Sequence, residues 1–213
     1  QDLNKYLEEN IKHLITIDLD KSALVELVRR KHETTIKSNM RLDVMQLDVN
    51  DHYEKNISLI QKAFDIEKVP LIVCNLAVHY FLKNDQSAAN FINFVDLMIA
   101  KNGKLVLTFM NGEKVNELLK DLDYGETFDL RKTKSDRPKF SIKKLYRDST
   151  IGETFGKEIG VLLPFSDNEY YTEYLVNTKL LIREFKSKNI KVEHTGNINS
   201  IKSEFDTKYK KKA

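Results

Sequence analysis

Leu71-Ile72-Val73-Cys74-Asn75-Leu76-Ala77-Val78-His79-Tyr80-Phe81 is an apolar run that turns polar and aromatic at its end. Apolar residues without alternation mark a strand covered on both faces, as in a parallel sheet. Open α/β sheets bind ligands outside the carboxyl ends of their strands, which is where this run delivers Asn75 to Tyr80. A His-Tyr pair at such a place also serves ordinary half-buried packing, so its neighbours decide its meaning.

Working outward, the pattern predicts a helix over Asp2 to Asn10 and a strand over Ile11 to Ile17 that ends at Asp18 and Asp20. A helix from Lys21 to about Thr35 carries Leu24, Leu27 and Val28 at helical spacing. Met45 to Val49 reads as a strand, Ile57 to Phe64 as a helix and Pro70 to Ala77 as the strand of the opening run. Gln86 to Ala100 reads as a long helix stopped by Asn102-Gly103, and Lys104 to Phe109 as a further strand. Strands alternating with helices make right-handed βαβ units, so the expected fold is α/β with a doubly wound, mainly parallel sheet. Beyond Gly112 the pattern loosens into a helix at Val115 to Lys120 and strand-like alternation at Ser141 to Tyr146. Asn177 to Ser187 then reads as a helix and Lys191 to His194 as a final strand.

The 213 residues suit one large domain, and 41% apolar with 31% charged residues describes an ordered chain. The lone Cys74 excludes an internal disulfide and a cysteine metal cluster. On an apolar strand it is an inert core thiol sooner than a nucleophile. The histidines stand singly, with no metal-ligand spacing, so no metal is expected. No apolar stretch approaches the roughly eighteen residues of a membrane span. Net charge is only +3, but basic residues gather between Arg131 and Arg147 and at Lys208-Tyr209-Lys210-Lys211-Lys212, which permits a polyanionic partner without demanding one.

Asp18 and Asp48 close two strands, and carboxylates there can accept from ribose hydroxyls and from an adenine amine. Asp is also a common turn former and N-cap, and the residues alone leave both uses open. A glycine-rich turn would mark a nucleotide site, yet no G-x-G-x-x-G and no P-loop occurs. Two explanations stand: no cofactor loop at all, or a sequence that starts just after it.

The unit Ala77-Val78-His79-Tyr80 resembles the fourth-strand signature of messenger-RNA cap guanine-N7 methyltransferases, and Gln1-Asp2-Leu3-Asn4-Lys5-Tyr6 resembles the segment that follows their glycine motif. The resemblance extends to Ile15 to Leu24, similar to the ribose-binding strand and next helix, and to Gly103 to Gly112, similar to the fifth strand and turn. Tyr171-Thr172-Glu173-Tyr174-Leu175-Val176 resembles the late Glu-aromatic-Leu-Val motif. Together these span about Asp2 to Val192 in order and look most like the methyltransferase domains of large-DNA-virus, poxvirus-type capping enzymes.

The resemblance implies a Rossmann-like class I S-adenosylmethionine methyltransferase fold with an antiparallel C-terminal part. It implies a single domain over residues 1–213, with the glycine-loop strand missing from the N-terminus, residues 113–170 as a cap-side insertion, and weak cofactor binding until the chain is extended. It places Asp18 at the cofactor ribose, Asp48 at its adenine, and Leu76 and Ala77 along the adenine-to-methionine path. His79, Tyr80 and Glu173 fall at cap-binding positions. S-adenosylmethionine is the implied cofactor, S-adenosylhomocysteine its product, and 5′-capped RNA the partner, with triphosphatase and guanylyltransferase domains of one capping enzyme. The implied location is cytoplasmic, in a viral factory or virion. The aromatic that stacks on guanine has no fixed register, the candidates being Leu162, Leu163 and Phe165, and a late tyrosine has no clear counterpart near Phe205 and Tyr209. Two other functions remain: a catalytically silent methyltransferase-like partner module, and a methyltransferase for another RNA or a small molecule.

Overall fold

The structure, a computed structural model, describes residues 3–9, 11–36, 38–131, 133, 138–148, 151–164, 166 and 168–209, with side chains to 203. Gln1-Asp2, part of the basic stretch (Lys132, Lys134 and Arg137), Phe165 and the terminal Lys210-Lys211-Lys212 lie outside the described residues, as does the Phe205 side chain.

β1 (His13–Asp18) and β2 (Arg41–Gln46) run parallel, from His13 opposite Arg41 to Asp18 opposite Gln46. The expected strand at Met45 to Val49 thus lies several residues earlier. Asp43 accepts from His13 Nε2 at 2.7 Å and Arg41 Nε at 2.8 Å, and against the effect of burial these hydrogen bonds hold its carboxyl below the usual range. α1 (Leu3–Glu8) buries Leu3 and Leu7 against Met40. α2 (Lys21–Glu33) connects the strands and packs on both, and Asp20 caps it by accepting from the Ser22 amide at 2.7 Å.

α3 (Tyr53–Phe64) leads to β3 (Val69–Asn75), the opening run of the sequence. A 3-10 turn at Val78–Phe81 and α4 (Asp85–Met98), capped by Asn84 accepting from the Ser87 amide at 2.8 Å, lead to β4 (Ile99–Thr108), parallel to β3. α3 packs on α4, and α4 on β4. β1-β2 and β3-β4 are separate two-stranded parallel sheets. Leu71, Val73 and Val106, on one face of β3-β4, are 44%, 37% and 45% exposed, so the expected cover on both faces holds only for the side toward α4.

α5 (Gly112–Leu118), capped by Asn111, precedes an antiparallel sheet of β5 (Thr127–Leu130), β6 (Phe140–Lys144), β7 (Glu158–Leu162) and β8 (Tyr171–Tyr174) in sequential order. Ile142, Ile159 and Val161 pack with Val115, Leu119 and Leu175 in one apolar cluster. Lys144 is buried beside it, and its Nζ donates to the Leu122 carbonyl at 2.6 Å and the Lys120 carbonyl at 3.4 Å, satisfying the charge where α5 ends.

Residues up to Asn177 form one compact unit and those from Thr178 a smaller one. The smaller unit holds α6 (Thr178–Ser187) and α7 (Ile198–Tyr209). The strand expected at Lys191 to His194 is absent: these residues are exposed and irregular, and α7 follows where no helix was expected.

The chain leaving β8 crosses the start of α5, where the Gly112 amide donates to the Val176 carbonyl at 3.1 Å. A Cβ on Gly112 would lie 2.4 Å from that oxygen and 2.7 Å from the Val176 nitrogen. Gly112→Ala should therefore lower unfolding free energy by about 1–3 kcal/mol, as overpacking against fixed backbone does. Urea denaturation measures it, and a change under about 0.5 kcal/mol would mean that the crossing yields freely.

Candidate functional site

The carboxyl end of β3 is built from backbone under strain. Leu76 has φ +50°, uncommon for a residue with a branched side chain, and is 64% exposed. Its amide donates to the Thr108 carbonyl at 2.8 Å and Oγ1 at 3.2 Å, and Thr108 Oγ1 donates to Asn75 Oδ1 at 3.2 Å. Val78 and Leu82, fully buried, then pin the 3-10 turn, leaving His79 buried and Tyr80 exposed. Cys74 sits just before the bend, and burial pushes its thiol up to about 11, as suits an inert core residue.

β8 meets that turn. Glu173, buried on β8 opposite Ile159, brings Oε2 to 3.6 Å from His79 Nε2. The separation is within ion-pair range but too long for a hydrogen bond, and His79 Nε2 is buried with no hydrogen-bond partner. Burial lowers the His79 imidazole to about 4 and raises the Glu173 carboxyl to about 7, so near neutrality an uncharged ring faces a carboxyl poised to ionise. The His79 and Tyr80 rings meet edge to face at 4.1 Å. Burial, then the charges of Glu173 and Tyr171, raise the Tyr80 phenol. His79, Tyr80 and Glu173, distant in sequence, thus come together.

Asp18 is exposed at the end of β1, and its Oδ1 accepts the Asp20 amide at 2.9 Å. Of the two acids there, Asp20 serves as the helix cap and Asp18 points to solvent with an open acceptor. Asp48 lies in the loop after β2, where its Oδ1 accepts from the Asn50 amide at 2.8 Å and side chain at 3.1 Å. Buried Asn56 donates to the Asp48 carbonyl at 2.8 Å, and Asn90 of α4 donates to the Asn50 carbonyl at 2.9 Å. Asp48 is therefore a turn former in a loop held at the same end as the 3-10 turn, since Asn90 lies in the first half of α4. Sequence reasoning missed Asn56 and Asn90; their signal was a polar residue on the apolar face of each helix. Among the described residues no cluster of His, Cys, Asp and Glu could hold a metal ion, and no helix is long and apolar enough to cross a membrane.

No protein-family model matches the chain. It is 38% identical over 195 residues, 87% of its length, to the mRNA-capping enzyme of African swine fever virus. It is 23% identical over 207 residues to a probable mRNA-capping enzyme of Acanthamoeba polyphaga mimivirus. The chain spans 22% of the first of these relatives and 18% of the second. Among solved structures, an S-adenosylmethionine-dependent methyltransferase from Clostridium acetobutylicum superposes over 92% of the chain and 76% of its own, with a TM-score of 0.52 at 15% identity. The fold is that of class I S-adenosylmethionine-dependent methyltransferases, and the chain is homologous to one segment of the mRNA-capping enzymes of large DNA viruses.

The two shifted groups pull stability in opposite directions with pH. Folded Glu173 keeps its proton to about pH 7 where the unfolded carboxyl loses it near 4.5, so this group's contribution falls as pH rises through that window. Folded His79 refuses a proton that the unfolded ring takes up below 6.5, so its contribution falls as pH drops toward 4. Glu173→Gln removes only the first, and its stability relative to wild type should climb steadily from pH 4.5 to 7 in urea denaturation. A flat or falling difference would show that Glu173 ionises as an exposed carboxyl does.

Proposed function

We propose that this chain transfers the methyl group of S-adenosylmethionine to N7 of the guanine that caps messenger RNA. The observation that carries the reading is the buried, unpaired His79 Nε2 set 3.6 Å from a buried Glu173 oxygen. The guanine edge presents O6 as an acceptor, then N1–H and the N2 amine as donors. A neutral His79 in the Nε2–H tautomer donates to O6, and the two Glu173 oxygens accept from N1–H and N2. Adenine presents a donor and then an acceptor, which match neither the Nε2–H of that tautomer nor the oxygens of a Glu173 carboxylate.

Asp18 fits the cofactor ribose, as an exposed carboxylate with an open acceptor at a strand end. Leu76 and Ala77, with Leu76 thrust outward by its positive φ, fit the path from adenine to methionine, and the Asp48 loop fits the adenine end. When bound, the sulfonium supplies an electrophilic methyl. In the wider enzyme, triphosphatase and guanylyltransferase domains would make the cap that this site receives.

Guanine N7 carries a free lone pair at neutral pH, so the chain needs no general base, and neither His79 nor Tyr80 is assigned a proton to move. Positioning dominates, and alignment alone is worth roughly 7–11 kcal/mol in the best intramolecular cases. Glu173 adds to it because N1–H and N2 grow more acidic as N7 becomes positive, so its hydrogen bonds strengthen toward the transition state. The donors of guanine also favour the carboxylate over the acid that burial favours.

Labelled S-adenosylmethionine, GpppA-capped RNA and a chain that keeps its native flanking sequence test the reading. Label should appear in N7-methylguanine after digestion, with none on uncapped RNA. Label elsewhere would indicate another methyltransferase, and none at all a silent module. Glu173→Gln should lower turnover of capped RNA by roughly 10²-fold and leave the cofactor KM unchanged. Asp18→Ala should raise that KM about tenfold with the cap KM unchanged. A normal cofactor KM in Asp18→Ala would put the residue outside the cofactor site.

A further inference from the structure

Two asparagines stand where helix patterning calls for apolar residues. Asn56 of α3 and Asn90 of α4 are both buried, and an amide in such a place is tolerated only when its hydrogen bonds are made. Both are directed at one loop. Asn56 Nδ2 donates to the Asp48 carbonyl at 2.8 Å, and Asn90 Nδ2 to the Asn50 carbonyl at 2.9 Å. Asn90 Oδ1 accepts from Gln86 Nε2 at 3.3 Å, which sets the way its amide faces. The next residue along α4, Phe91, is buried and makes a different contact: its ring centroid lies 4.8 Å from that of Phe81, the last residue of the 3-10 turn that holds His79. Adjacent residues of one helix therefore touch the Asp48 loop and the His79 turn.

We propose that Asn90 is a positioning residue: it sets the Asp48 loop for the cofactor and, through Phe91 and Phe81, couples that loop to the His79 turn, so that cofactor and cap guanine bind cooperatively. This rests on the reading that puts Asp48 at the cofactor adenine and His79 at the cap. A leucine at position 90 would serve packing alone. A donor whose acceptor end is held by Gln86 does something else: it fixes the backbone at Asn50, and the Asn50 amide and side chain in turn orient the Asp48 carboxylate. A ligand that engages that carboxylate orders the loop and, through α4, the packing under the turn. The contacts are contiguous, so ordering one end lowers the entropy still to be lost at the other. Linkage makes the effect reciprocal, each ligand raising the affinity of the other by the same factor.

Calorimetry with S-adenosylhomocysteine and GpppA, each alone and with the other present, tests this in the chain that keeps its native flanking sequence. Wild type should bind GpppA about fivefold more tightly when saturated with S-adenosylhomocysteine, and the reverse by the same factor. Asn90→Leu, which keeps bulk and loses the donor, should weaken S-adenosylhomocysteine roughly tenfold, leave the affinity for GpppA alone unchanged and bring the coupling close to one. Asn90→Ala serves where the leucine variant does not fold. Phe91→Leu should lose the coupling and keep the S-adenosylhomocysteine affinity. Phe94→Leu, which trims another buried ring of α4, should keep both; if it reproduces the losses, the effect is a general loosening of the helix and the proposal falls. No coupling in wild type, or coupling that survives in the Asn90 variants, also overturns it. Asp48→Ala separates the two levels. Unchanged S-adenosylhomocysteine affinity in that variant means that the cofactor reading of the loop has failed; weakened affinity there, with none lost in the Asn90 variants, means that only Asn90 is misassigned.

Discussion

A carboxyl and an imidazole buried face to face without a hydrogen bond between them are unfavourable by themselves, and the junction of β8 with the turn after β3 is arranged around that pair. Desolvation pushes the two titrations across each other, Glu173 up and His79 down, so that each tends to neutrality. Such a pair persists only where the surroundings over-determine it. Val78 and Leu82 anchor one side, Ile159 and the apolar cluster the other, and the Gly112 crossing fixes the chain as it leaves β8. A ligand with donors for Glu173 and an acceptor for His79 relieves both groups at once, so stability given up in folding returns as selectivity in binding.

The two sheets divide the work. The parallel strands end in Asp18, the Asp48 loop and the strained Leu76, at the carboxyl ends where doubly wound folds take nucleotides. The antiparallel sheet delivers Glu173 on an edge strand, opposite the turn that follows β3. His79 and Tyr80 lie between the two, since they come one residue after Leu76 and Ala77 and their turn meets β8.

β3 and its polar end were legible in sequence because an unbroken apolar run from Val69 to Cys74 leaves few alternatives. β2 was misplaced because its first residues are charged, and only the cross-strand cluster of His13, Arg41 and Asp43 explains why Arg41 and Asp43 sit in a strand. β5, β7 and β8 are four or five residues long with mixed polarity, and a lysine in the core at position 144 defeats any apolar pattern. Lys191 to His194 alternates as a strand should, but alternation without a partner strand makes none. At the site, Glu173 was legible only by resemblance, since nothing local separates it from a surface carboxylate; its burial arises from β7 and the 3-10 turn.

Replacing the base of the cap dinucleotide tests the central claim most directly, because each change alters one hydrogen bond. Calorimetry with GpppA, IpppA and ApppA, where inosine lacks the N2 amine and adenine reverses the donor and acceptor at positions 6 and 1, should give a graded loss. Binding should weaken roughly tenfold on removing N2 and a hundredfold or more for adenine. Comparable affinities for the three would contradict the claim that His79 and Glu173 together read guanine.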